Sequence, residues 1–386
     1  MNGSPVGFFS AKRGLRQEDP LSPFLFLLAM EGLNNMIKSA KVRGWLRGQL
    51  EMLRVILVLF EGFSGLYINW RKSHLYPITE VHNMEALNAV LGGEIGALPT
   101  SYLGMPLGAK SQSYEIWNNV VEKCEMKFTR WKSQYLSRGG RLTLINSVLD
   151  SLPTYMMSVF PIPKSVITRL DKIRRKFFWQ GNSESKGYNL VKWDAVIVGK
   201  KHGGLKIRNL MNQSKDLLMK WLWKFNNEEQ SYRKEVIEAK YEEEDNWMTK
   251  EVTTPYGVSV WRSIRSRWSE FKANTKIKVR NGEKTEFWKD VWHEAGRLEV
   301  LYPDKYSLVS HQQKTIVDHL TPQGWNFIFR RQLNDWEIQK VADFFNTIGQ
   351  FNGLEGGQDI LWWKGNRKGS FKVGCAYKWL NHINQL

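Results

Sequence analysis

Between Tyr114 and Trp179 apolar residues recur at helical spacing three times over, and this run constrains the fold more than any other stretch. Trp117, Val121, Cys124, Phe128 and Trp131 mark a helix over 114–132. Leu142, Ile145, Val148 and Leu149 mark a second over 141–152, with Pro153 as its end signal. Val166, Leu170, Ile173 and Phe177 stripe a third over 165–179, while Arg169, Lys172, Arg175 and Lys176 crowd another side. Three amphipathic helices must bury their stripes against one another, which gives a helical bundle with a cationic side. Residues 121–180 carry 12 Lys or Arg against 4 Asp or Glu, a local net charge of +8.

The same sign holds for the whole chain. A formal charge of +18 on 386 residues favours a polyanionic partner, and 18 Trp, 13 Tyr and 19 Phe offer surfaces on which single-stranded bases stack. With 42% hydrophobic and 24% charged residues, the chain is globular rather than disordered or fibrous and can hold two or three domains. Cys124 and Cys375 fall in no CxxC or Cys/His spacing, so neither a zinc site nor a disulfide framework is expected. The longest apolar runs, Phe24–Met30 and Val55–Phe60, are far below the roughly 20 residues of a membrane-spanning helix. The first residues lack the charged and apolar regions of a signal peptide. We therefore expect an intracellular location, nuclear or cytoplasmic and not secreted, with no membrane partner and no small-molecule cofactor. Arg174-Arg175-Lys176 is also compatible with nuclear import.

One run near the start has residue choices dictated by chemistry: Lys12-Arg13-Gly14-Leu15-Arg16-Gln17-Glu18-Asp19-Pro20-Leu21-Ser22-Pro23. Lys12, Arg13 and Arg16 beside a glycine suit phosphate contact. Ser22 can cap a helix and Pro23 fits its first turn. The following Phe24–Met30 is apolar nearly all round, so that helix is expected to be buried. This loop and helix resemble motif B of the reverse transcriptases of non-LTR (LINE-type) retrotransposons, whose pattern reads RGLRQGDPLSP. The match is ungapped, with one departure: the family's glycine after the glutamine is Glu18 here. A carboxylate there repels phosphate and stiffens a turn that glycine leaves free. The resemblance implies that Arg16 and Gln17 contact template or nucleotide.

Further stretches extend the resemblance to plant-type LINE elements along essentially the whole chain. Ser64-Gly65-Leu66-Tyr67-Ile68-Asn69-Trp70-Arg71-Lys72-Ser73 looks like the family's strand and KS motif, which puts Lys72 near the primer side. Leu98 to Gly108 resembles the segment joining palm to thumb, and its glycines and prolines mark tight turns. The three helices look like the thumb, which grips a duplex through its backbone. Tyr188 to Trp193 reads as a short strand. Gly203-Gly204-Leu205 and Arg208-Asn209-Leu210 lead to a helix over 212–225 whose Trp221 and Trp223 read as core. Residues 228–245 hold 8 acidic residues against 3 basic ones and mark a boundary. Beyond it Trp261, Ile264 and Trp268 suggest a short helix, 278–288 a β-hairpin turned at Asn281-Gly282, and 338–348 another helix. Gly369 to Tyr377 looks like the beginning of a zinc-binding segment, but no histidine pair stands at ligand spacing. Ribonuclease H activity is not expected.

The resemblance also identifies what is missing. In the family a β-hairpin with a YADD or FADD turn separates two helices and holds the metal ions. Here the second helical pattern, about 49–63, follows Leu46-Arg47-Gly48 at once and leaves no room for it. Asn2-Gly3 reads as a hairpin turn with a short strand over Val6 to Phe9, and the resemblance leads us to expect that the upstream strand bearing the first metal-binding aspartate is absent too. Nucleotidyl transfer needs Mg²⁺ ions held by carboxylates, yet the sequence has no Asp-Asp pair and no Asp-x-Asp. Glu242-Glu243-Glu244-Asp245 reads as a solvated charge run.

The fold class implied is α+β, mostly helical. It comprises a partial palm at 1–75, a connector and helical thumb at 76–227, an acidic linker at 228–256 and a small α+β region at 257–386. The function implied is a reverse-transcriptase (RNA-directed DNA polymerase) remnant with no catalytic residue, no metal and no cofactor. Its partner is RNA or an RNA/DNA duplex, bound through Lys12, Arg13, Arg16, Gln17, Lys72, Arg169, Lys172, Arg175 and Lys176. Two other readings stay open: an incomplete gene model of an active retrotransposon enzyme, and a domesticated interaction protein without catalysis.

Overall fold

Helical spacing in the sequence is realised as a mixed α/β fold, mostly helical, with five two-stranded sheets among the described residues. The computed structural model describes residues 30–33, 35–37, 50–77, 80–130, 136–180, 191–228, 231–251, 260–351 and 353–383. The Asn2-Gly3 hairpin, the Lys12–Pro23 loop, the helix before Met30 and the Leu46–Gln49 junction lie outside them. Two compact units are formed, Met1–Ala109 and Lys110–Leu386.

In the first unit α1, Leu50–Ser64, buries Ile56 and Phe60 and leaves Val55, Val58, Leu59 and Phe63 exposed. Arg54 on α1 donates to the Leu91 carbonyl at 2.5 Å and lies 3.8 Å over the Trp70 ring, which ties α1 to α2, Met84–Leu91. Met30, the one described residue of the Phe24–Met30 helix expected to be buried, is exposed. No strand forms over 64–73. Trp70–Lys72 is a 3₁₀ turn, and β1, His74–Leu75, starts after it to pair parallel with β2, Glu94–Ile95. β3, Thr100–Tyr102, and β4, Met105–Leu107, then form an antiparallel hairpin. Its two turn residues, Leu103 and Gly104, have φ of 50° and 77°, the positive pair that a two-residue hairpin turn uses.

The second unit begins with α3, Asn118–Arg130, which buries Val121 and Cys124 beside Trp117. Burial pushes the Cys124 thiol up to about 12, so it behaves as a small apolar group rather than a nucleophile. The expected second helix is split: α4, Arg138–Leu144, runs into a wide π turn, Ile145–Leu149. The Asp150 N–H reaches back five residues to the Ile145 carbonyl at 2.9 Å. Pro153 precedes a further turn, α5, Thr154–Met157, instead of ending the helical run. α6, Lys164–Trp179, buries Val166, Leu170 and Phe177 as one stripe, and Phe128 meets Phe177 edge-on at 5.7 Å. A short helix, Trp193–Ile197, begins where the Tyr188–Trp193 strand was expected, and residues 188–190 lie outside the described ones.

α7, Leu210–Asn227, is the hub of this unit. Asn209 caps it by accepting the Asn212 N–H at 3.1 Å. Leu218, Met219, Leu222 and Phe225 pack with Trp247, Trp261, Trp268, Phe271, Trp363 and Leu380, while Trp221 and Trp223 lie half-buried against this core. The acidic stretch carries structure of its own: α8, Tyr232–Lys240, then a hairpin of β5, Glu243–Asp245, with β6, Met248–Thr249. Its Trp247 and Met248 are buried, and of its carboxylates Glu244 pairs with Arg265 and Asp245 with Lys272.

Two short helices follow, α9, Val260–Arg265, and α10, Trp268–Ala273. β7, Thr275–Lys278, pairs antiparallel with β8, Ile360–Trp363, and not with the residues after Asn281-Gly282. The reason is Asp359, whose buried carboxylate accepts the N–H groups of Arg280, Gly282, Lys284 and Thr285 at 2.6–3.3 Å and the Thr285 hydroxyl at 2.7 Å. The chain curls around this carboxylate rather than folding back as a hairpin. Phe287, Trp288, Phe327 and Phe344 form a second core under α11, Asp335–Ile348, with Trp288 stacked on Phe344 at 5.4 Å. α12, Val373–Ile383, buries Ala376 and Leu380 in the core built around α7.

Candidate nucleic-acid interface

The two sides of α6 do different work. Inward, Arg174 is buried, although the Arg174-Arg175-Lys176 run reads as surface charge in the sequence. Its guanidinium bonds Asp150 at 2.7 Å, the Arg208 carbonyl at 2.9 Å and the Asp171 carboxylate, and Asp150 also accepts the Arg208 N–H at 3.2 Å. Burial acts to lower the Arg174 pKa, but the two carboxylates outweigh it and hold the guanidinium above its ordinary range. Burial pushes the Asp150 carboxyl up, opposed by the Arg174 charge. This cluster locks α6 to the end of the π turn and fixes which side of the helix faces out.

Outward, Arg169, Lys172 and Lys176 are exposed and Arg175 is half-buried. Spacings of three and four residues put Arg169, Lys172 and Lys176 on one face. Arg169 is already engaged: it bonds Glu125 on α3 at 3.0 Å and the Tyr114 hydroxyl at 2.7 Å, and these contacts hold its guanidinium above its ordinary pKa range. Lys176 sits 5.7 Å from the Phe128 ring. Lys172, Arg175 and Lys176 pair with no carboxylate among the described residues, so their charge is available to a partner. Trp179 lies one turn beyond Arg175, with the Arg138 guanidinium of α4 5.6 Å over its ring.

Lys72 is exposed at the end of the Trp70–Lys72 turn and belongs to the first unit. Lys12, Arg13, Arg16 and Gln17 lie outside the described residues. The structure thus brings together the four α6 cations of the sequence reading.

No protein-family model matches the chain. It is similar to an Arabidopsis thaliana protein named "Putative ribonuclease H protein", 28% identical over 292 residues that cover 72% of this chain and 44% of the relative. A shorter stretch is similar to an Arabidopsis thaliana protein named "Uncharacterized mitochondrial protein", 48% identical over 48 residues, 12% of this chain and 39% of that one. The chain spans less than half the length of either relative.

Arg138 and Trp179 were not singled out by sequence reasoning. Arg138 stands in Ser137-Arg138-Gly139-Gly140-Arg141, where two glycines obscure the helical register. Its helix nevertheless starts there, with the Ser137 hydroxyl accepting the Gly140 N–H at 3.2 Å. Among the described residues no three His, Cys, Asp or Glu side chains group as a metal site, and no helix is long and apolar enough to cross a membrane.

Proposed function

We propose that this chain is the reverse-transcriptase remnant of a LINE-type retrotransposon, inactive as a polymerase, and that it binds RNA or an RNA/DNA duplex. In this reading residues 1–75 descend from the palm, 76–227 from the connector and thumb, and 257–386 from the region that follows. The observation that carries it is the outward side of α6, where Lys172, Arg175 and Lys176 stand without carboxylate partners among the described residues, on a helix locked from behind by Arg174 and Asp150. Rigidly mounted, unpaired cations gain affinity from counterion release when they meet phosphates.

For the Mg²⁺ of the intact family we infer no ligand set. The sequence has neither an Asp-Asp pair nor an Asp-x-Asp, and among the described residues no acidic group of three converges. One relative's name refers to ribonuclease H. Hydrolysis of that kind also depends on clustered carboxylates, so we take the likeness as a sign of shared ancestry among element-encoded proteins and not of shared hydrolysis.

The test uses the purified full chain with an RNA template annealed to a DNA primer, Mg²⁺ and deoxynucleotides. Retention of the hybrid with no primer extension is expected. Templated extension, or no retention at low salt, would overturn the proposal.

A further inference from the structure

We propose that Trp336 is a stacking platform for an unpaired base of single-stranded RNA or DNA, separate from the α6 surface. Trp336 is 62% exposed, and it is the one exposed tryptophan among the described residues. A large aromatic ring left in water is costly unless a partner covers it, and most tryptophans of this chain have found cover.

The backbone that carries Trp336 is held firmly. Asn334 and Glu337 form a reciprocal capping box at the start of α11, and the Asn334 N–H donates to Glu337 at 2.8 Å. Glu337, itself buried, is gripped by Arg331 through two bonds of 2.8 Å. Trp336 stands between these two anchors, so its Cα position is fixed before any ligand arrives. Lys340, one turn on, places its ammonium 5.1 Å from the ring centroid. An indole that is 62% exposed with a cation over its ring can take a flat, neutral π-system in a polyanionic strand.

The surrounding charge is mixed. Arg330 and Lys340 are exposed cations, while Asp335 and Asp343 are carboxylates on the same helix, Asp343 accepting from Gln339 at 3.2 Å. Phosphate contact at this spot is therefore weak, and recognition rests on the base. Along a duplex the bases are stacked internally, so only terminal pairs have a free face to offer this ring. The prediction is consequently a discrimination between strand states that the α6 surface does not make.

The experiment titrates the full chain with a short single-stranded oligonucleotide, with the same strand made abasic, and with a closed circular duplex, which has no terminal pair. Trp336→Ala should weaken single-strand binding by about 5- to 100-fold, the range for losing one stacked base. Trp336→Phe should recover most of that loss, duplex affinity should not change, and the abasic strand should be insensitive to both variants. Equal affinity of Trp336→Ala and wild type for the single strand would overturn the platform, as would a parallel loss of duplex binding. A wild-type chain that binds single strands but not duplex would instead contradict the α6 reading and leave the platform standing.

Discussion

Arg174 and Asp150 meet at 2.7 Å with their side chains 3% and 0% exposed, so this ion pair of the helical bundle lies in its interior. The pair joins α6 to the π turn that ends at Asp150, beside the bond from Arg141 on α4 to the Phe178 carbonyl at 3.4 Å. With the Arg208 N–H and carbonyl as further partners, most of the hydrogen-bonding capacity that faces the cluster is used.

Removing Arg174 strands the Asp150 charge in a dry environment, and removing Asp150 leaves Arg174 with Asp171 as its one carboxylate among the described residues; breaking a buried pair costs about 3–5 kcal/mol. Arg174→Met and Asp150→Leu should each lower the free energy of unfolding by that order, read as a lower urea midpoint at unchanged slope. The double variant should recover part of the loss, because a well-packed apolar pair is often nearly neutral. Equilibrium denaturation of the three variants checks this, and additive losses would contradict it.

Asp216 gives a prediction about pH. It is 2% exposed on α7, its Oδ1 has no partner among the described residues, and burial raises its pKa to about 8 against the weaker opposing pull of the Leu217 N–H and Arg208. The folded state then binds the proton more tightly than the unfolded one. Its contribution is fully present below the ordinary carboxylate pKa and is lost as pH rises toward 8. Asp216→Asn should therefore raise the unfolding temperature at pH 8 and leave it nearly unchanged at pH 4. Thermal scans at the two values decide it, and an equal shift at both would remove burial of the charge as the cause.

Asp359 organises the loop that continues β7. Asp359→Ala leaves four N–H donors and a hydroxyl without their acceptor, at about 1–3 kcal/mol for each that stays buried. We expect a loss of about 3 kcal/mol or more, with fast amide exchange at residues 280–285. Protection unchanged in that loop would show that β7 and β8 hold it unaided.

How far the sequence was legible follows from the range of the forces. α3 and α6 lie where the helical spacing put them, because each is selected by its own amphipathic stripe, and α7 and α11 cover the helices expected over 212–225 and 338–348. The pairing of β7 with β8 could not be read locally: Asn281-Gly282 has the composition of a hairpin turn, but its backbone donors belong to Asp359, more than 70 residues away. Arg174 was hidden by its basic neighbours, although its position four after Leu170 and three before Phe177 places it on the buried side of α6. The acidic character of residues 228–245 concealed Trp247 just beyond, whose indole donates to Asp290 at 3.0 Å inside the core. On the candidate surface the α6 cations were legible as a stripe. Arg138 was not, since only packing brings it over Trp179.

Nucleic-acid binding by this chain depends on the outward side of α6 meeting phosphate. The direct measurement is the affinity of the full chain for an RNA/DNA hybrid across a salt series, beside the Lys172→Glu, Lys176→Glu double variant. The wild type should lose affinity linearly in log–log form, and the variant should bind more weakly with a slope shallower by about 2, near one unit for each lost contact. A wild-type affinity indifferent to salt, or the same slope in both proteins, would contradict it.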